Sequence, residues 1–275
     1  MDYRKERLMS QSERYRGYHG SAERKEEHLR RAGEKYRARK RQTYAWMGVQ
    51  EGHRVLDVGC GLGVDTIPLA QIVGATGQVV GIDLDEAMLI KADERAREAG
   101  VDKWVEHRLG DASTMPFEDD FFDAQHSERM FMHLPNPEQV LSEMVRVAKP
   151  SGTIAVIDID GATISFDTTE NDIERRFTPF WSAIQRNPYA GRQLYRLFMM
   201  AGLADISVHV ISYVGHDLDS ACYSLKWTDV EKAALEAGAI TGDELDRLIA
   251  SIERADEAGA FYCSFSMVTV IGCKA

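Results

Sequence analysis

From about residue 54 onward, the apolar positions of this 275-residue chain fall into short runs separated by stretches with three- and four-residue periodicity. Residues 55–58 read as a buried strand, and Gly59, Gly61 and Gly63 mark a sharp turn from it into a helix. A second apolar run over 78–82 ends at Asp83 and leads into a helix over 86–99 that stops at Gly100. The pattern predicts a third strand over 104–109, a fourth over 122–127, a helix over 137–147, a turn at 149–152 and a fifth strand over 153–158. Strands alternating with helices at this spacing predict an α/β fold with a parallel sheet covered on both faces.

The flanking regions follow other rhythms. Residues 21–47 interleave acids and bases at helical spacing and predict one or two helices. Ahead of them, Tyr15, Tyr18 and His19 between Gly17 and Gly20 form either an aromatic flap over a ligand or a surface turn before a Ser21 helix cap. Past residue 158 no clean strand is visible until 206–214. The intervening 161–203 hold Phe177, Phe180, Trp181, Tyr189, Tyr195 and Phe198, read as a helical cover over the sheet's ligand edge or as ordinary core. An acidic helical pair over 227–258 and a last strand over 264–273 complete the chain, with the two late strands expected to pair antiparallel at the sheet edge. This divides the chain into an N-terminal helical arm or lid (1–50), a core of alternating strands and helices (51–160) and a C-terminal completion of the sheet with a helical cover and an acidic helical insertion (161–275).

Composition sets the context. With 44% hydrophobic and 28% charged residues, the chain reads as a globular protein. No uncharged apolar run approaches the roughly 20 residues of a membrane helix and the N-terminus has no apolar signal block, so a cytoplasmic location is expected. Residues 1–53 carry 14 Lys and Arg against 8 Asp and Glu, leaving a net charge of −17 on the remainder of a chain of −11 overall. The basic arm suits an acidic surface of its own chain or of a second copy, whereas the acidic body disfavours nucleic acid. Four scattered cysteines without a CxxC pair argue against a zinc cluster or disulfide framework, and no metal is expected.

The chemistry is concentrated around the glycines. Asp57, two residues ahead of a G-x-G-x-G loop, departs from the G-x-G-x-x-G of dinucleotide sites, and a carboxylate there would repel a pyrophosphate while attracting an ammonium or another cationic ligand. Through Asp57 to Gly63, Asp83, Gly110-Asp111-Ala112 and Ser127 to Met130, residues 50–215 resemble the class I S-adenosylmethionine-dependent methyltransferases. More narrowly, Met115-Pro116-Phe117, Asp120 to Asp123, His133 to Pro137 and Val147 to Thr153 are similar to the ubiquinone/menaquinone-biosynthesis-like (type 11) small-molecule branch. The resemblance implies a Rossmann-like, seven-stranded, mostly parallel sheet. It also implies a cofactor set of Asp57, Gly59, Cys60, Gly61, Gly63, Asp83, Leu84, Asp111, Ala112 and Ser127, in which Asp83 receives the ribose hydroxyls and Asp111 and Ala112 meet the adenine.

Methyl transfer from a sulfonium depends mainly on alignment, and a base is needed only where the acceptor must lose a proton. Glu128 and His133 are the candidate catalytic residues. Tyr18, Arg129 and Trp181 are candidate substrate contacts, while His126 inside the fourth strand reads as a hydrogen-bonded core histidine. The expected reaction is methylation at O, N or C of a small molecule such as a secondary metabolite or quinone. RNA or protein methylation through the basic arm, or a cyclase reaction on the same fold, are the alternatives. Association of two copies through the arm is a further expectation, and neither a nucleic-acid nor a membrane partner is expected.

Overall fold

The computed structural model describes residues 37–218, 221–222 and 225–275; the expected N-terminal flap with Tyr18 lies outside them. A helix α1 (Arg37–Trp46) precedes the sheet, followed by β1 (Arg54–Val58), α2 (Thr66–Val73), β2 (Gln78–Asp83), α3 (Glu86–Glu98), β3 (Val105–Leu109), β4 (Phe122–Glu128), α4 (Pro137–Val147) and β5 (Ala148–Phe166). Then come α5 (Asn171–Phe177), a short α6 (Phe180–Ala183), α7 (Ala190–Met200), β6 (Ala204–Gly215), α8 (Trp227–Glu236), α9 (Gly242–Glu257) and β7 (Cys263–Cys273).

Seven strands form one sheet in the order β3-β2-β1-β4-β5-β7-β6. The first five are parallel, with Asp57 opposite Gly81 on one side and His126 on the other. β7 runs antiparallel to β5, since Ser151 pairs with Lys274 at one end and Asp167 with Tyr262 at the other. It also opposes β6, because Gly272 lies beside Ala204 and Gly215 beside Cys263. Both late strands are therefore antiparallel neighbours, as their alternation predicts.

Local sequence explains the element ends. Asp85 caps α3 by accepting from the Met88 N–H, Asn136 caps α4 from Gln139, and Thr241 with Glu244 forms a reciprocal capping box on α9. Gly100 ends α3 at φ +69°, where a side chain would be strained.

One expectation needs correction. β5 is not confined to 153–158 but spans 19 residues, through both the expected turn and the segment thought to lack a strand. The register against β4 jumps from Phe122↔Ala148 to Ala124↔Thr153, so 149–152 bulge from a strand that continues beyond them. Lys149 Nζ holds the bulge at 2.5 Å from Asp123 Oδ1. Further on, Gly161 sits within the strand with the Pro188 backbone packed against it, its N–H donating to Pro188 O at 2.8 Å.

The chain divides into two compact units. Among the described residues, one comprises 37–158, Ala190–Val210 and Val268–Ala275, and buries Leu56, Val58, Ile82, Phe122, Phe131, Met144, Ile154 and Phe198. The other comprises Ile159–Tyr189 and Ile211–Met267, around Phe166, Phe177, Trp181, Trp227 and Phe261. Among the described residues, no helix is long and apolar enough to cross a membrane.

Candidate active site

In the first unit the carboxyl ends of β1 to β4 bring the glycine loop, Asp83, the Asp111 turn and Glu128 to one edge, where open parallel sheets bind ligands. The loop folds over the end of β2, with the Gly59 and Cys60 N–H groups both donating to Ile82 O. All three glycines have positive φ, but their missing side chains serve different neighbours. A Cβ on Gly59 would approach Met130 Sδ to 2.8 Å, and one on Gly63 would meet Thr66 and His107, whereas one on Gly61 would find only Met88 Sδ at 3.6 Å. Gly61 is thus the glycine with open space above it.

Asp83 organises that edge. Its Oδ2 accepts from the Gly61 N–H at 2.8 Å and its Oδ1 from the Asp85 N–H at 3.0 Å, fixing the carboxylate against the loop, with the exposed Leu84 beside it. Asp111 is exposed and accepts from the Ser113 N–H at 2.8 Å; that amide holds its carboxyl below the usual range. Ala112 packs against the adjoining core. Cys60 is buried, and burial together with Asp57 and Asp83 pushes its thiol far above the ordinary range, so it is no nucleophile.

Beneath the loop lies a buried polar cluster that joins α1 to β1, α2 and β4. Asp57 Oδ1 lies 2.9 Å from His126 Nδ1, and His126 Nε2 lies 4.0 Å from Asp65 Oδ1. Lys40 donates to both Asp65 oxygens at 2.8 and 2.7 Å and to Glu128 Oε2 at 2.5 Å, while the Tyr44 hydroxyl donates to Asp65 Oδ1 at 2.5 Å. Burial works against the charge on Asp65, yet Lys40, His126 and the Tyr44 hydroxyl hold its carboxyl well below the ordinary range. Burial likewise opposes protonation of His126, but Asp65 and Asp57 outweigh it and raise the imidazole. Asp57, Asp65 and His126 are close enough to share a cation, and the Lys40 ammonium already supplies positive charge to Asp65.

Lys40, Tyr44 and Asp65 were not among the expected site residues. Their signal was weak: Lys40 and Tyr44 stand at i and i+4 in a charged helix that reads as a solvated arm, and Asp65 reads as a helix-start residue. The structure buries all three.

The end of β4 departs from the expected picture in one respect. The Ser127 hydroxyl is buried and donates to Val58 O at 2.9 Å, so it braces β4 on β1. Glu128 is the carboxylate at that end, and Arg129 follows it with φ +56° and its Nε 3.4 Å from Glu128 Oε1. A non-glycine residue in that conformation is a local strain of the kind found at ligand sites. His133 is exposed and closes the 3₁₀ turn Phe131–His133, which Asp158 anchors by accepting from the Met132 N–H. Trp181, expected to touch substrate, is instead a core residue of the other unit. It has no exposed surface, its indole N–H donates to Leu225 O, and it packs on Phe166, Phe177 and Trp227.

A methyltransferase domain model matches residues 50–202. An uncharacterized 37.1 kDa protein in transposon TN4556 of Streptomyces fradiae is 30% identical over 226 residues, 82% of this chain and 64% of that protein. The 2-phytyl-1,4-naphtoquinone methyltransferase of Synechococcus elongatus is 37% identical over 124 residues, 45% of this chain and 53% of its own. The chain thus spans less than two thirds of the length of these relatives. Among solved structures, a putative methyltransferase from Bacillus halodurans C-125 shares the fold at a TM-score of 0.59 and 18% identity, over 86% of this chain and 97% of that one. With its sheet order, glycine loop and β2 carboxylate, the chain belongs to the methyltransferase domain family and has the class I S-adenosylmethionine-dependent methyltransferase fold.

Proposed function

We propose that this protein transfers the methyl group of S-adenosylmethionine to a small molecule. The observation that carries the reading is Asp83, clamped by the Gly61 and Asp85 amides at the edge where Leu84 and Asp111 stand exposed. A carboxylate fixed in this way, beside a glycine without a side chain, suits a ribose diol with an adenine beyond it, and Gly61 leaves the room such a ligand needs. Asp57, Cys60, Gly59 and Gly63 shape the loop from beneath, and Asp111 and Ala112 border the base end.

The bound cofactor supplies an electrophilic methyl whose departure leaves a neutral thioether, so the chain's own work is to bind, orient and exclude water. Glu128, held by Lys40, offers a fixed carboxyl group at the end of β4, and we assign it the role of favouring a cationic donor and taking a proton from an acceptor hydroxyl or amine. Arg129 and His133 border the same end and are the residues we assign to acceptor orientation. A quinone or a secondary metabolite is the acceptor class favoured, on the strength of the naphthoquinone methyltransferase relative.

The test begins with calorimetry of S-adenosylmethionine and S-adenosylhomocysteine, in which Asp83→Ala should weaken binding at least about tenfold. Unchanged affinity would remove the ribose assignment. Labelled cofactor incubated with small-molecule, RNA and protein fractions should label the first; tight binding with no transfer anywhere would favour a cyclase-like use of the fold.

A further inference from the structure

A chain of hydrogen bonds reaches the third loop glycine from α3 and β3. Asp93 Oδ1 on α3 lies 2.8 Å from His107 Nδ1 on β3, and His107 Nε2 lies 2.9 Å from Thr66 Oγ1 at the start of α2. The same hydroxyl stands 3.2 Å from Gly63 O. The His107 side chain and Thr66 are fully buried, while the Asp93 side chain is half exposed. A Cβ at Gly63 would lie 2.9 Å from Thr66 Oγ1 and 3.1 Å from His107 Nε2, so the bareness of this glycine serves the hydrogen-bond chain rather than a ligand. From the same helix α3, Arg95 Nη1 donates to the adjacent loop carbonyl, Leu62 O, at 2.9 Å.

The protons can be counted. An ionised Asp93 only accepts, so His107 Nδ1 carries a hydrogen. When His107 is neutral, its Nε2 accepts from Thr66, whose single hydrogen is then turned away from Gly63 O. When His107 is protonated, Nε2 donates to Thr66 and the hydroxyl hydrogen is released to Gly63 O. The groups placed against the ring are the Asp93 carboxylate from α3, the Thr66 hydroxyl from α2, Gly81 of β2 and, across Gly81, the Cys60 thiol of the loop, which burial keeps neutral. The flanking Glu106 and Arg108 of β3 pair with each other.

We propose that Asp93, His107 and Thr66 are positioning residues for the cofactor loop, acting on it through the Thr66 hydroxyl beside the Gly63 carbonyl. The proposal rests on the reading of this loop as the S-adenosylmethionine site.

Calorimetry of the full chain with S-adenosylhomocysteine, alongside urea titration of each variant, tests it. Thr66→Val, which keeps the packing but removes the hydroxyl, should bind about five- to tenfold more weakly than wild type, and Thr66→Ser should restore the affinity. Asp93→Ala, at a half-exposed position that tolerates change, should weaken binding in the same direction and carries the test if Thr66→Val does not fold. Variant affinities identical to wild type would overturn the proposal while leaving the cofactor site intact; absence of any wild-type binding would overturn both.

Discussion

Lys40 carries more of the site than its place in a charged helix suggests. Its ammonium is shared by two carboxylates in a buried setting, so removing it leaves Asp65 to His126 and the Tyr44 hydroxyl, and Glu128 to Arg129 at 3.4 Å. Lys40→Met should lower the unfolding free energy by about 3 kcal/mol or more in urea titration, and Asp65→Asn added to it should recover part of the loss. Glu231 on α8 shows the reverse case. Burial pushes its carboxyl up to about 7 although it accepts from the Trp227 indole N–H at 2.6 Å. The unfolded chain ionises near the ordinary value of 4.5, so wild type loses stability as pH climbs from there to about 7 and stays penalised above it. Glu231→Gln keeps the acceptor for Trp227 and should melt higher than wild type at about pH 8, with the two coinciding near pH 4.5.

At the scale of elements, the glycine loop is a turn whose three glycines answer to three neighbours, and a substitution series should separate them. Gly59→Ala sets a Cβ against Met130 Sδ in a left-handed backbone, so it should cost more stability and more cofactor affinity than Gly61→Ala, and Met130→Ala should partly rescue it. These elements were largely legible beforehand: β1, β2, β4 and α4 follow from period and caps, and Asp57, Asp83 and Asp111 from where each strand ends. What stayed hidden is long-range. The tail of β5 depends on Pro188 backing Gly161, and the roles of Lys40 and Tyr44 depend on α1 docking beneath the loop. Trp181 was misplaced because an aromatic at helical spacing looks the same facing a ligand or a core.

For the whole molecule, the surplus of acid matters. A net charge of −11 repels polyanions, so filter binding at about 150 mM salt should show no retention of RNA, and tight, salt-sensitive retention would revive RNA as an acceptor. The placing of β7 has a separate consequence for the chain as it is made. β7 enters between β5 and β6, both synthesised before it, and stitches to both. During translation β6 therefore waits without its one neighbour in the sheet, and β5 offers an open flank, until residues 263–273 have emerged from the ribosome. Until β7 emerges those edges stay open to pairing with another chain, so synonymous codons that slow synthesis of 263–273 should raise the aggregated fraction of the product.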